Sequence, residues 1–178
     1  MEILATGRLR LRTLEHEDAA FYLQLVNDPT WLRFIGDKGI HKLDEARVAI
    51  ATGPIESQRV HGFSLYLVER KDSGASVGIC GLVRRETLPE VDLGYAFLPA
   101  HCGQGFAREA ALAVLTYARE VLGLKNLLAI VAPDNERSIR LLDALGFRFE
   151  RRLRLRPERD EGCLYSLELD ESGPRAGL

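Results

Sequence analysis

Cys102-Gly103-Gln104-Gly105-Phe106-Ala107-Arg108-Glu109-Ala110 is the stretch whose reading decides the fold. It follows an apolar, strand-like run at residues 91–98 and opens an Ala-rich helical run at residues 107–122. Two glycines at a strand-to-helix turn let the backbone take positive φ without steric cost and approach a ligand closely. The helix that begins there leaves its first N–H groups unpaired and carries partial positive charge at that end. Together these features make a seat for a phosphate or pyrophosphate.

Upstream of this turn, residues 63–69, 77–84 and 91–98 read as three strands. They are separated by turns at Lys71-Asp72-Ser73-Gly74 and Leu88-Pro89. Further back, residues 7–12 alternate basic and apolar side chains, as a half-buried strand does. Thr13 is the expected N-cap of a helix with Glu15, Glu17 and Asp18 in its first turn. Asp28-Pro29 should stop that helix, residues 31–39 read as a loop or short helix, and residues 44–52 as a second helix. Downstream, the Ala-rich helix sets Ala107, Ala111, Val114, Ala118 and Val121 on one stripe. A strand at residues 127–131 follows, then a short helix with Ile139, Leu142 and Leu145 inward, then strands at 147–155 and 163–169.

The order β-α-α-β-β-β-α-β-α-β-β predicts an α/β protein of the α+β kind, with a mixed, mainly antiparallel central sheet flanked by helices. Residues 1–170 read as one domain and 171–178 as a frayed tail. The 178 residues are 46% hydrophobic and 28% charged, with a net charge of −2 that gives no general attraction to nucleic acid or anionic membrane. Cys80, Cys102 and Cys163 have no CxxC spacing, and His16, His41 and His61 are scattered, so neither a disulfide framework nor a metal site is expected. There is no signal-like N-terminus and no apolar run near the ~20 residues of a membrane span, so a cytoplasmic protein is expected, as monomer or homodimer.

A nicotinamide dinucleotide site would need a third glycine where Arg108 stands, and an NTP-binding loop would need Gly-Lys-Ser/Thr. Four features in order resemble the GNAT acyltransferase superfamily, from about Arg8 to Leu169. They are Val77-Gly78-Ile79-Cys80-Gly81-Leu82, Asp92-Leu93-Gly94-Tyr95, Gly103-x-Gly105-x-Ala107, and Asn135-x-x-Ser138 followed by Leu145-Gly146-Phe147. The wording is similar to the Rim-type branch of ribosomal-protein N-terminal acetyltransferases, with Phe106 in place of the usual Tyr. The resemblance implies that amides of Gly103, Gln104, Gly105, Phe106, Ala107 and Arg108 hold the pyrophosphate of acetyl-CoA, the co-substrate. It further implies that Phe97 and Leu98 pair with the pantetheine, that Asn135 meets the same arm, and that Ser138 sits near the thiol. Trp31, Phe34 and Ile35 fall where the family's acceptor loop lies. A Tyr seven residues after the Asn acts as general acid in many members, but here that position is Leu142, so Ser138 or water must protonate the thiolate.

Acetyl transfer needs a neutral amine, a polarised thioester and a proton for the thiolate. Asp92 shares a strand face with the small residues Gly94 and Ala96, and by resemblance it stands where the family carries a general base. An α-amine with a pKa of about 7.8 costs about 1 kcal/mol to deprotonate at pH 7, against about 4.6 kcal/mol for a lysine amine. One short carboxylate therefore favours a protein N-terminus or another low-pKa amine as acceptor. Glu86, Glu90 and Glu158 are weaker acidic candidates near the acceptor, and Cys102 beside His101 is a second, less favoured nucleophile. Arg148, Arg151, Arg152, Arg154, Arg156 and Arg159 form a basic run that reads as a solvated strand face or as a contact for the CoA 3′-phosphate or RNA. The alternatives to an enzyme are a non-catalytic acyl-CoA-binding regulator and, against the near-neutral charge, a nucleic-acid-associated protein.

Overall fold

The computed structural model describes residues 1–154 and 161–169. Eight strands form one open sheet in the order β1-β2-β3-β4-β5-β6-β8-β7. They are β1 (Glu2–Ala5), β2 (Leu9–Thr13), β3 (Leu65–Arg70), β4 (Ser76–Val83), β5 (Asp92–Phe97), β6 (Asn126–Val131), β7 (Arg148–Leu153) and β8 (Gly162–Glu168). Every neighbouring pair is antiparallel except β5 and β6, so the mixed, mainly antiparallel sheet expected from the sequence is present. Helices α1 (Ala19–Val26), α2 (Pro29–Phe34), α3 (Leu43–Ile50) and α4 (Glu56–His61) lie between β2 and β3. Helix α5 (Phe106–Glu120) follows β5, and α6 (Glu136–Ala144) follows β6.

Strand alternation splits the core in two. On one face Tyr66, Val68, Cys80, Leu82 and Leu93 pack with α5 and α6. On the other, Leu67 and Ile79 pack with α1, α2 and α3. Each such fully buried Leu or Ile contributes about 1.5–3 kcal/mol. In α5 the buried stripe is Phe106, Ala110, Ala111, Val114, Leu115 and Ala118, and the alanines bring the helix close to the sheet. Ala107 is only half-buried and Val121 is 67% exposed. Ala111, Val114 and Ala118 of the expected stripe are buried, and Phe106, Ala110 and Leu115 complete it in place of Ala107 and Val121.

Three elements depart from the sequence reading. Strand β1 precedes the expected first strand, with its pairing to β2 broken by a bulge between Glu2 and Leu4. Ile3 and Leu4 are both half-buried, which leaves no alternation to detect. Thr13 ends β2 and accepts a hydrogen bond from the Met1 ammonium at 2.9 Å, so it caps no helix. Glu15 is the cap residue instead, its N–H held by Asp18 at 2.8 Å. Asp28-Pro29 does stop α1, and it also starts α2: the Asp28 carboxylate accepts from the Thr30 N–H at 2.8 Å, with Pro29 in the first turn. Helix α3 continues through a π-turn, Ala51–Ile55, that contains Pro54, and then into α4. Pro54 has no N–H to give the helical ladder.

Candidate active site

The β5–β6 pair organises the site. These two parallel strands are matched at one position, Asp92 with Leu128, where the Leu128 N–H donates to the Val91 carbonyl at 2.9 Å. Beyond that point they part, while β5 stays paired with β4 as far as Phe97. The Leu98 N–H donates to Val77 on the β4 side at 3.0 Å. Backbone groups alternate along a strand, so those of Leu93, Tyr95 and Phe97 point the other way, into the gap. The result is a wedge, closed at Asp92 and open at Phe97, with one unpaired strand edge. Phe97 stands on that edge as expected. Leu98 does not: its amide is used by β4 and its side chain is buried with α1, α2 and α3.

At the open end the chain makes a 3₁₀ turn, Pro99–His101, and then the glycine turn. Gly103 and Gly105 have φ of +78° and +81°, left-handed values that a Cβ would strain. Gly105 caps α5, and the Glu109 N–H is the first to close onto the Gly105 carbonyl, at 3.0 Å. The amides of Phe106, Ala107 and Arg108 precede that rung and have no acceptor in the helix. The Phe106 side chain is buried beneath the helix, so only its amide faces the turn. Ala107 is half-buried, and Gln104 and Arg108 are exposed. The Cys102 thiol points to the Leu98 carbonyl at 3.6 Å rather than to His101, which gives it no activating partner.

Helix α6 supplies the far wall. Asn135 is its cap residue, accepting from the Ser138 N–H at 3.3 Å. Asp134, just before it, pairs with Arg33 of α2 at 3.0 Å. The Asn135 amide nitrogen has no acceptor among the described residues. Ser138 Oγ lies 2.6 Å from the Tyr95 hydroxyl. Tyr95 is half-buried against the core on the α5 and α6 side of the sheet. Desolvation pushes its phenol up to about 12, the Ser138 hydrogen bond opposing, so it stays protonated at working pH.

Asp92 corrects another expectation. It does share a face with Gly94 and Ala96, but it is 1% exposed, and both carboxylate oxygens accept from Arg85 Nε, at 3.0 and 3.1 Å. It is therefore not presented to an incoming ligand. Desolvation raises its pKa, and the charge and hydrogen bond of Arg85 oppose that rise.

The same face does hold a cavity, of about 720 Å³, lined by Tyr22, Ala49, Thr52, Ser57, Leu65 and Val83 among others. Two of its wall residues, Leu65 and Val83, adjoin β5: a Cβ on Gly94 would lie 3.1 Å from Leu65 and 3.4 Å from Val83. Trp31, Phe34 and Ile35 do not line it. Trp31 is buried in the core of α1 to α3, and Phe34 and Ile35 are half-buried. The cavity wall from the π-turn (Thr52, Gly53, Pro54) went unnoticed because nothing in that stretch marks a π-turn beforehand.

Of the basic run, Arg148, Arg151, Arg152 and Arg154 are exposed on or beside the edge strand β7, and Arg152 pairs with Glu161 at 3.3 Å. Leu155, Arg156, Glu158, Arg159 and the 171–178 tail lie outside the described residues. Glu86 and Glu90 are exposed. Among the described residues no cluster of three or more His, Cys, Asp or Glu could hold a metal, and no helix is long and apolar enough to cross a membrane.

The one-sided strand wedge thus leads to a helix start whose free amides suit a phosphate. The acetyltransferase (GNAT) domain profile matches residues 8–148. The chain is 32% identical over 162 residues to an uncharacterised N-acetyltransferase, p20, of Bacillus licheniformis, covering 86% of each. It is 27% identical over 143 residues to spermidine N(1)-acetyltransferase of Escherichia coli, covering 80% of this chain and 74% of that one. An acetyltransferase structure from Agrobacterium tumefaciens superposes with a TM-score of 0.76 at 27% identity, covering 92% of each chain. The ribosomal α-N-protein acetyltransferase RimL, solved with coenzyme A, shares the fold with a TM-score of 0.78 at 20% identity, covering 94% of this chain and 98% of that one. The chain belongs to the GNAT acetyltransferase family and is an acetyl-CoA-dependent N-acetyltransferase.

Proposed function

We propose that the chain transfers acetyl directly from acetyl-CoA to a primary amine of low pKa, a protein N-terminal α-amine or a small-molecule amine, that enters through the 720 Å³ cavity. The wedge carries this reading. Its free edge at Leu93, Tyr95 and Phe97 offers a strand partner to the pantetheine, and the glycine turn at its mouth offers amides to the pyrophosphate. The Asn135 side-chain nitrogen is the α6 donor to the same arm. The cavity lies on the sheet face of Gly94, behind Leu65 and Val83, so the acceptor would approach from the face opposite Tyr95 and Ser138.

The acceptor preference follows from the state of Asp92. With Asp92 sealed against Arg85, the carboxylates that line the cavity are Asp37 and Glu56, set on its α-helical side rather than on β5, and Glu56 is paired with Arg59. An α-amine needs only about 1 kcal/mol to lose its proton at neutral pH, whereas a lysine amine needs about 4.6 kcal/mol. Named relatives span both kinds of acceptor, a polyamine for one and a ribosomal protein α-amine for the fold neighbour. The amine nitrogen attacks the thioester carbon and sheds a proton to water, the C–S bond breaks, and the departing thiolate takes a proton from Ser138, which water restores through the Tyr95 hydrogen bond so that both hydroxyls end protonated.

Ligand-dependent unfolding tests the cofactor half of the reading. At a hundredfold excess over Kd, acetyl-CoA and CoA should each stabilise the protein by about 2.7 kcal/mol. For a chain of this size that raises the midpoint by roughly 5–11 °C, while NAD and ATP leave it in place. No shift with either CoA species removes the proposal. Slow turnover with every amine despite tight CoA binding would favour the regulator instead.

Replacing Ser138 by alanine tests the chemical half. We expect kcat to fall by about tenfold or more, with the KM for acetyl-CoA within about twofold. Tyr95→Phe should cause a smaller fall of the same kind. Unchanged kcat in Ser138→Ala assigns the proton to water.

A further inference from the structure

Arg8, at the turn between β1 and β2, belongs to none of the site motifs, yet its side chain grips the glycine turn. Its Nη1 donates to the Gln104 carbonyl at 2.9 Å. Its Nε donates to the Glu109 carboxylate at 2.6 Å, and its backbone N–H donates to the same carboxylate at 2.9 Å. Its guanidinium lies 4.6 Å from the centre of the Phe106 ring. The Thr6 hydroxyl adds a fourth tie, donating to Glu109 at 2.5 Å.

The Gln104–Gly105 peptide turns about ψ of Gln104 and φ of Gly105, and Gly105, in the left-handed region at φ +81°, sets no Cβ against that rotation on its side. Such a peptide flips at little cost. The peptide unit is planar and trans, so its C=O and N–H point in opposite directions. Holding the Gln104 carbonyl against Arg8 therefore aims the Gly105 N–H away from Arg8. Glu109, in the first turn of α5, holds the guanidinium in place from the helix side. Burial works against the Glu109 charge, but hydrogen bonds from Thr6 and Arg8 outweigh it and hold the carboxyl below its usual range, so the clamp stays charged at neutral pH.

We propose that Arg8 is a positioning residue that locks the Gln104–Gly105 peptide with its amide turned outward, preorganising the cradle for the pyrophosphate. This rests on the cradle reading above. Without the lock the turn samples flipped peptides, and affinity falls in proportion to the fraction left competent.

Calorimetric titration of CoA and of dephospho-CoA into the wild type, Arg8→Met and Arg8→Lys tests it. Both ligands carry the pyrophosphate, and only CoA carries the 3′-phosphate. We expect Arg8→Met to weaken both by the same factor, about tenfold, which corresponds to a cradle about one-tenth competent. Its kcat at saturating acetyl-CoA should stay within about twofold of wild type. Arg8→Lys keeps a cation beside Glu109 but has one nitrogen for two acceptors, so it should keep the wild-type Tm and still lose affinity for both ligands. Unchanged affinity in both variants overturns the proposal, even if Tm falls, because the clamp is then structural only. A loss confined to CoA also overturns it, since Arg8 would be touching the 3′-phosphate itself. Failure of the wild type to bind either ligand removes the cradle reading, and the clamp with it.

Discussion

Arg85→Met is expected to destabilise the protein by about 3 kcal/mol at pH 8, lowering Tm by roughly 6–12 °C. The substitution leaves the Asp92 carboxylate, 2% exposed, without its cation at the one position where β5 and β6 are matched. The Arg85 side chain is 37% exposed, which lets water reach part of the gap and puts the expectation at the low end for a broken buried pair. The loss should depend on pH in a set direction. Burial raises the Asp92 carboxyl, and Arg85 opposes that rise. A carboxyl raised in the folded state holds its proton there more tightly than in the unfolded chain, so it subtracts stability as pH rises through its folded pKa. Removing Arg85 raises it further. The gap to wild type should be widest at neutral and alkaline pH and narrow as the folded carboxyl takes up a proton on acidification. Urea unfolding at a series of pH values from 8 down through the carboxylate range checks this; a gap that narrows nowhere in the series means Arg85 acts through packing alone. The double variant with Asp92→Asn should recover more than half of the loss. Asp92→Asn alone should keep the acidic limb of the kcat/KM profile, whereas loss of that limb would restore Asp92 as the base.

Gly78→Ala is expected to cost about 3 kcal/mol and to raise the KM for acetyl-CoA. Gly78 of β4 lies opposite Phe97, and a Cβ built there would stand 2.4 Å from the Ala96 carbonyl and 2.7 Å from the Phe97 ring. A ring can turn, but the carbonyl is backbone in the middle of a sheet, so β5 itself must move. That movement displaces the Phe97 edge of the wedge. The rise in KM distinguishes this site from a generic core defect, which would lower the urea midpoint and leave KM alone.

The sequence made the cradle legible because its signals are local. Two glycines between a strand and a helix require left-handed backbone, and Gly103 and Gly105 have it. Helix α6 begins at the Asn135-x-x-Ser138 stretch, with Asn135 as its cap. Strands β3, β4 and β5 were found within about two residues, since β-branched and apolar runs bounded by turns identify themselves. The acceptor side was poorly legible. Trp31 was proposed for the pocket because aromatic side chains suit both pockets and cores; it went to the core. The cavity is walled instead by Tyr22 and a π-turn with no sequence signature. Asp92 was placed on the correct face, but the pattern along β5 carries no sign of Arg85, seven residues back in the connecting loop.

Sequence alone determined the family resemblance, the strand and helix order around the glycine turn, and the turn residues proposed to present amides to a pyrophosphate. Those depend on φ preferences and caps that act over a few residues. Tertiary structure alone decided that β5 and β6 part after one matched position, that Asp92 is sealed, and that Tyr95 meets Ser138. It also decided that Arg8 holds the turn. Tyr95 and Ser138 are 43 residues apart in the chain, and Arg8 and Gln104 are 96 apart. No local preference encodes such meetings: they arise when buried faces of distant elements pack together, and the site is built from them.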